Sequence, residues 1–178
     1  GRRVMWAWCA PRGARRPLGK KLQTGIQSLP RELSLSADNK LLIEPLRELE
    51  KLRTYEKKVE NLTVKSDSTY LLKEIFGDTM ELELVLDAPA AKEFGLKVLC
   101  DQEGEKGLTI SSGKGRKTLN SGYIQPSFEL QEGEDLTLRI FIDKNMIEVF
   151  ANDRQAAVAW HEYNPKDLHV SLFSKGGD

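Results

Sequence analysis

Long apolar runs, histidine and cysteine are all scarce in this chain, and each scarcity closes off a class of function. No apolar stretch approaches the roughly 20 residues that a membrane-spanning helix needs. Val4 to Ala10 is apolar but short and rich in Trp, so it does not read as the core of a secretory signal. His161 and His169 are the only histidines. Neither has a cysteine or carboxylate at ligand spacing, and no Gly-x-Ser-x-Gly elbow or Cys-His arrangement accompanies them, so they predict no metal, no cofactor and no nucleophilic triad. Half-buried or surface strand positions are the expected places for both. Cys9 and Cys100 are far apart with no spacing motif around them, which favours two free thiols in apolar strands over a disulfide. With so little cysteine the composition fits an extracellular or a cytoplasmic protein equally.

What is present is an ordinary folding composition. Hydrophobic residues make up 39 % of 178 and charged residues 30 %, enough for one good core, or one domain plus a fragment of another. The 27 basic and 27 acidic groups cancel overall but not locally. Arg2, Arg3, Arg12, Arg15, Arg16, Lys20 and Lys21 fall in the first 21 residues without an acid among them. A basic arm invites a nucleic-acid reading. This one has Trp6, Trp8 and Pro11 within it and lacks a binding motif, so a solvated loop between two strands is expected, with no nucleic-acid partner.

Alternation dominates the remainder. Leu136 to Asp153 reads as two strands around a two-residue turn at Lys144-Asn145. That register sets Ile142 against Ile147, Ile140 against Val149 and Leu138 against Ala151, a wholly apolar side. The opposite side carries Arg139 and Glu148 as diagonal neighbours, in reach of a cross-strand ion pair. Met80, Leu82, Leu84 and Leu86 alternate with Glu81, Glu83 and Asp87, which places both glutamates on a wet face. Further strands are expected over Arg3 to Cys9, Leu29 to Leu35, Leu41 to Ile43, Leu96 to Cys100, Leu108 to Ile110, Ala156 to Tyr163 and Leu168 to Phe173, with Phe128 and Leu130 leading into the long hairpin. Leu46, Leu49 and Leu52 are spaced for one short helix, and strand follows strand from about Tyr55. This is an all-β pattern, an antiparallel β-sandwich of two sheets.

Several of these segments together resemble the C-terminal part of glycoside hydrolase family 32, the invertases, inulinases and levanases. Leu138-Arg139-Ile140-Phe141-Ile142-Asp143 followed by Ile147-Glu148-Val149-Phe150-Ala151-Asn152-Asp153 looks like the family's sandwich hairpin. Gly1 to Trp8 resembles a strand of its last propeller blade, Ser28-Leu29-Pro30-Arg31 its Ser-x-Pro-Arg segment, and Leu42 to Leu49 the exit toward the sandwich. Gly77 to Glu83 and Phe94 to Val98 are similar to early sandwich strands. Departures accompany the likeness. Gln23 stands where a tryptophan is usual, and Lys117 to Asn120, rather than an Asp-Arg pair, precedes Ser121-Gly122. The family's nucleophile, transition-state aspartate and acid/base belong to Asn-Asp-Pro, Arg-Asp-Pro and Glu-Cys motifs, and none of these occurs in the chain.

The resemblance implies a jelly-roll-like sandwich over residues 55–178, a connector over 46–54 and, over 1–45, a remnant of an incomplete propeller blade. It implies a parent that hydrolyses β-fructofuranosides with retention, which takes two carboxyl groups about 5–5.5 Å apart, one of them an acid of raised pKa. A guanidinium near Glu148 works against such a raised value, so Glu148 is expected in a structural ion pair, and no catalytic residue is assigned. Gly113 to Lys117 is expected as a hairpin tip rather than a phosphate loop, because no helix follows it. Asn61-Leu62-Thr63 matches a glycosylation acceptor, relevant only in a eukaryotic secreted protein. Aromatic faces and planar polar groups suit sugars, which makes Trp160, Tyr123, Tyr163, Arg139 and Glu148 the carbohydrate-binding candidates. The expected partners are the propeller, a fructan or other carbohydrate ligand, and a second copy through a homodimer or strand exchange at unpaired edges. The alternative is a stand-alone, lectin-like carbohydrate-binding module.

Overall fold

The computed structural model describes residues 1–9, 25–113 and 115–177. Residues 10–24, where a basic loop is expected and which include Gln23, lie outside the described residues, as does Lys114. Of the described chain nearly all regular structure is antiparallel β. Five short strands come first: β1 (Arg3–Met5), β2 (Trp8–Cys9), β3 (Ile26–Gln27), β4 (Arg31–Leu35) and β5 (Leu41–Pro45). They form a three-stranded sheet in the order β1-β4-β5 and a two-stranded one of β2 with β3. A 3-10 helix (Arg47–Leu52) follows, with no buried residue. Its leucines recur every third position, which eclipses them on one stripe of a three-residue turn, but Leu52 stays 74 % exposed.

Nine strands then build a sandwich: β6 (Ser68–Phe76), β7 (Thr79–Leu86), β8 (Glu93–Cys100), β9 (Leu108–Gly113), β10 (Thr118–Ser121), β11 (Leu136–Asp143), β12 (Met146–Ala151), β13 (Gln155–Trp160) and β14 (His169–Lys175). One sheet has the order β10-β9-β8-β14-β6, the other β13-β12-β11-β7. The hairpin register is the one read from the sequence, with Leu138, Ile140 and Ile142 opposite Ala151, Val149 and Ile147. On the far side of β11 the same residues meet Leu84, Leu82 and Met80. Leu96, Val98, Ile110, Leu119, Ile140, Ile147, Val149 and Val170 have no exposed surface and fill the space between the sheets. Each buried side chain of this size is worth about 1.5–3 kcal/mol.

Several sequence expectations need correction. Arg3 to Cys9 is two strands, not one, and the strand expected from Leu29 begins at Arg31. Met5 pairs with Arg31, while Ala7 and Ser28 exchange hydrogen bonds. Trp6 therefore stands alone against Leu29 and Pro30, a β-bulge in one long hairpin. Residues 53–67 contain no strand, whereas β6 was not anticipated. As an edge strand with a register shift against β14, β6 lacks the clean alternation of its neighbours. Phe128 and Leu130, which lead into the long hairpin as expected, are buried side chains of an otherwise largely exposed loop. The turn after Gly113 is the tip of the β9–β10 hairpin.

Candidate functional site

The outer face of the four-stranded sheet is unusual because alternation predicts it wet and part of it is dry. On β12, Met146, Glu148 and Phe150 point away from the core, yet they are 5 %, 1 % and 2 % exposed. The N-terminal segment covers Glu148 and Phe150. Glu148 Oε1 accepts the Leu29 N–H at 2.6 Å and its Oε2 accepts Arg31 Nη2 at 2.8 Å. The Arg31 guanidinium lies over the Phe150 ring, 5.3 Å from its centre, and Phe150 meets Phe141 edge to face. The Asp153 carbonyl takes the Ile43 N–H at 2.6 Å, which ties β5 to the turn after β12.

Beside this dry patch the joint becomes ionic. Arg139, expected to pair with Glu148, instead donates from Nε to Glu81 at 2.7 Å and lies 3.2 Å from Glu83 and 3.9 Å from Glu50. The cause is register: Arg139 faces Phe150 on one side and Glu83 on the other, with Glu81 two residues along the same face. Arg53 completes the cluster, bonding Glu81 at 2.8 Å and also Glu83. Glu81 is thus not a simple solvated residue. Burial tends to raise its pKa, but the hydrogen bonds from Arg53 and Arg139 outweigh that and hold it below the ordinary carboxylate range. The 3-10 helix is fastened by Arg2, whose guanidinium forks between Glu32 and Glu48.

These acids are organised for attachment rather than proton transfer. Glu48 lines a shallow depression of about 460 Å³ with Arg47, Glu50 and Lys51, but the hydrogen bond from Arg2 pushes it down to about 2, the wrong direction for a general acid. Glu44 on β5 is raised, first by burial and then by the nearby Asp153 and Glu32 carboxylates, but it lines neither this depression nor the narrower one of about 170 Å³ between residues 62–64 and the ends of β7, β8 and β14. Among the described residues no group of three or more His, Cys, Asp or Glu is arranged to hold a metal ion. His161 is half-buried, and burial lowers its pKa. Cys9 and Cys100 are free thiols, both raised by burial.

The five carbohydrate candidates do not converge on one open surface. Arg139 and Glu148 belong to the joint just described. Trp160 is half-buried on the same outer face, level with Met146. Tyr163, 38 % exposed, donates its hydroxyl to Asp78 at 2.5 Å, and Lys144 bonds the same carboxylate from above the Tyr163 ring. Tyr123 occupies the turn after β10, on the other sheet. Sequence reading missed Arg31 and Arg53 as partners in the joint. A proline inside a strand pattern was the available signal, since Pro30 marks the bulge that points its neighbours at Glu148.

Comparison with known proteins agrees with this architecture. The chain is 30 % identical over 185 residues to sucrose-6-phosphate hydrolase of Escherichia coli, which covers 99 % of this chain and 37 % of that protein. Levanase of Bacillus subtilis is 31 % identical over 150 residues, 74 % of this chain and 22 % of that one. The chain therefore spans well under half the length of these relatives. Fructan 1-exohydrolase IIa of Cichorium intybus superposes with a TM-score of 0.75 over 98 % of this chain and 43 % of its own, at 19 % identity, a likeness of fold. The model for the C-terminal domain of family 32 glycosyl hydrolases matches residues 48–178, which include the whole sandwich. With that match over most of its length, the chain belongs to glycoside hydrolase family 32 as its C-terminal portion.

Proposed function

We propose that the chain is the non-catalytic, C-terminal part of a β-fructofuranosidase-type hydrolase. Its job is to hold the last strands of a propeller against a sandwich. Residues 1–45 would be the remnant of the last blade, 46–54 the connector and 55–178 the sandwich. The observation that carries the reading is the Arg31–Glu148 pair, 2.8 Å long and buried on both sides, which joins the two parts. A parent acting on sucrose-type or fructan saccharides is supported by the names of the relatives, sucrose-6-phosphate hydrolase, raffinose invertase and levanase among them. The residues of this chain supply docking, not bond cleavage. Its propeller partner would meet β1, the edge strand of its sheet, beside the exposed Met5, Trp6 and Trp8. In isolation that edge favours a homodimer or strand exchange.

Purified chain incubated with sucrose, inulin and levan is expected to release no fructose. Measurable release that scales with chain concentration would overturn the proposal. Calorimetric titration with levan and inulin fragments tests the sugar-binding candidates separately. Heat of binding that Trp160→Ala, Tyr123→Ala or Tyr163→Ala abolishes would assign a lectin-like role to the sandwich instead.

A further inference from the structure

The bulge opposite Trp6 redirects one backbone N–H out of the hairpin. In a regular ladder the Leu29 N–H would bond across the hairpin, but two residues here face one. Pro30 has no N–H to offer, so the bulge releases a single backbone donor, that of Leu29. That donor goes to Glu148 Oε1 at 2.6 Å, and no group of the N-terminal strands takes its place. On either side the segment is held by its own chain. Ser28 N–H bonds the Ala7 carbonyl at 2.8 Å and Ser28 Oγ accepts the Ala7 N–H at 2.9 Å, while the Pro30 carbonyl accepts the Leu46 N–H at 3.0 Å. Ala7 lies between Trp6 and Trp8, which are 52 % and 74 % exposed.

We infer that Glu148 is a positioning residue for the N-terminal strands: by binding the donor released at the bulge, it sets the register of Ala7 against Ser28 and so the presentation of Trp6 and Trp8. The bulge and the carboxylate are one device. Without an acceptor in the sandwich, the hairpin satisfies Leu29 by slipping to a register without the bulge, which turns the indoles to a different face. The Arg31 guanidinium adds the second contact and places the carboxylate so that only this register satisfies both. The inference goes beyond the proposed parentage and depends only on contacts within this chain.

Amide hydrogen exchange of the whole chain tests it, comparing wild type with Glu148→Gln and with the double variant Arg31→Met, Glu148→Met. Glu148→Gln keeps an acceptor for Leu29, so Ala7 and Ser28 amides stay protected. The double variant removes the acceptor and leaves an apolar pair in its place, so both amides lose about tenfold or more of their protection, although they bond each other's residues and not Glu148. Ile140 and Val149 amides, in the sandwich core, remain protected in both variants. Unchanged Ala7 and Ser28 protection in the double variant would overturn the inference. Loss of Ile140 and Val149 protection there would also overturn it, because Glu148 would then support the whole fold rather than one register. Loss at Ala7 and Ser28 in Glu148→Gln counts against it too, by making charge and not the acceptor decisive.

Discussion

Glu148→Ala strikes the joint where sequence and structure meet most directly. The substitution leaves the Arg31 guanidinium, its side chain 8 % exposed, buried without its carboxylate, and leaves the Leu29 N–H without an acceptor. Breaking a buried pair from one side costs about 3–5 kcal/mol, because the surviving charge stays desolvated. An orphaned backbone donor adds about 1–3 kcal/mol unless water reaches it. Urea unfolding followed by fluorescence and far-UV circular dichroism measures the sum. With a urea dependence of about 2 kcal/mol per molar, the midpoint should fall by about 2–4 M, the lower end applying where water reaches Leu29. Trp6 and Trp8 report on the N-terminal strands and Trp160 on the sandwich, so splitting of the two signals would show the strands leaving first. The double variant Arg31→Met, Glu148→Met should recover the ion-pair share of the loss, since an apolar pair of similar volume often equals or exceeds a buried ion pair, by about 1–4 kcal/mol, while the Leu29 N–H stays without its acceptor. A cost below about 1 kcal/mol for Glu148→Ala, the value of an exposed pair, would refute the reasoning.

Three further tests address other parts of the molecule. Ile140 has no exposed surface and packs between Val149 and Leu82, so Ile140→Ala should cost about 2–5 kcal/mol and Ile140→Val about 0.5–1.5, read from the same urea midpoints. Gly95 on β8 allows β9 to approach closely: a Cβ there would collide with the Ile110 carbonyl and lie 2.7 Å from Ser111 Cα, so Gly95→Ala should lower the melting temperature although it adds only one methyl group. Glu44 has a raised pKa in the fold, so its ionised form weakens the protein at neutral pH and the penalty fades as pH falls through that raised value. Glu44→Gln should therefore stabilise at pH 7, and the gain should vanish below the ordinary value of 4.5; a gain independent of pH would remove the electrostatic account.

The sequence by itself determined the sandwich. Alternation along Met80 to Leu86 and Leu136 to Ala151 assigns each side chain to a face, and a turn at Lys144-Asn145 leaves one register that buries the whole apolar set. It also carried the family, through segments whose likeness was legible before any contact was known. Where an edge strand is irregular, as at β6, periodicity had no signal to give. Tertiary structure alone decided the partners of the charges. Arg139 and Glu148 are close neighbours in one hairpin, yet each is claimed by a residue from elsewhere, Glu81 and Arg31, because the sheet's outer face is covered by the N-terminal segment on β12 and lined with acids on β7. Periodicity says which face a side chain takes; only the packing of distant segments says whether that face is water, another charge or a stacked ring.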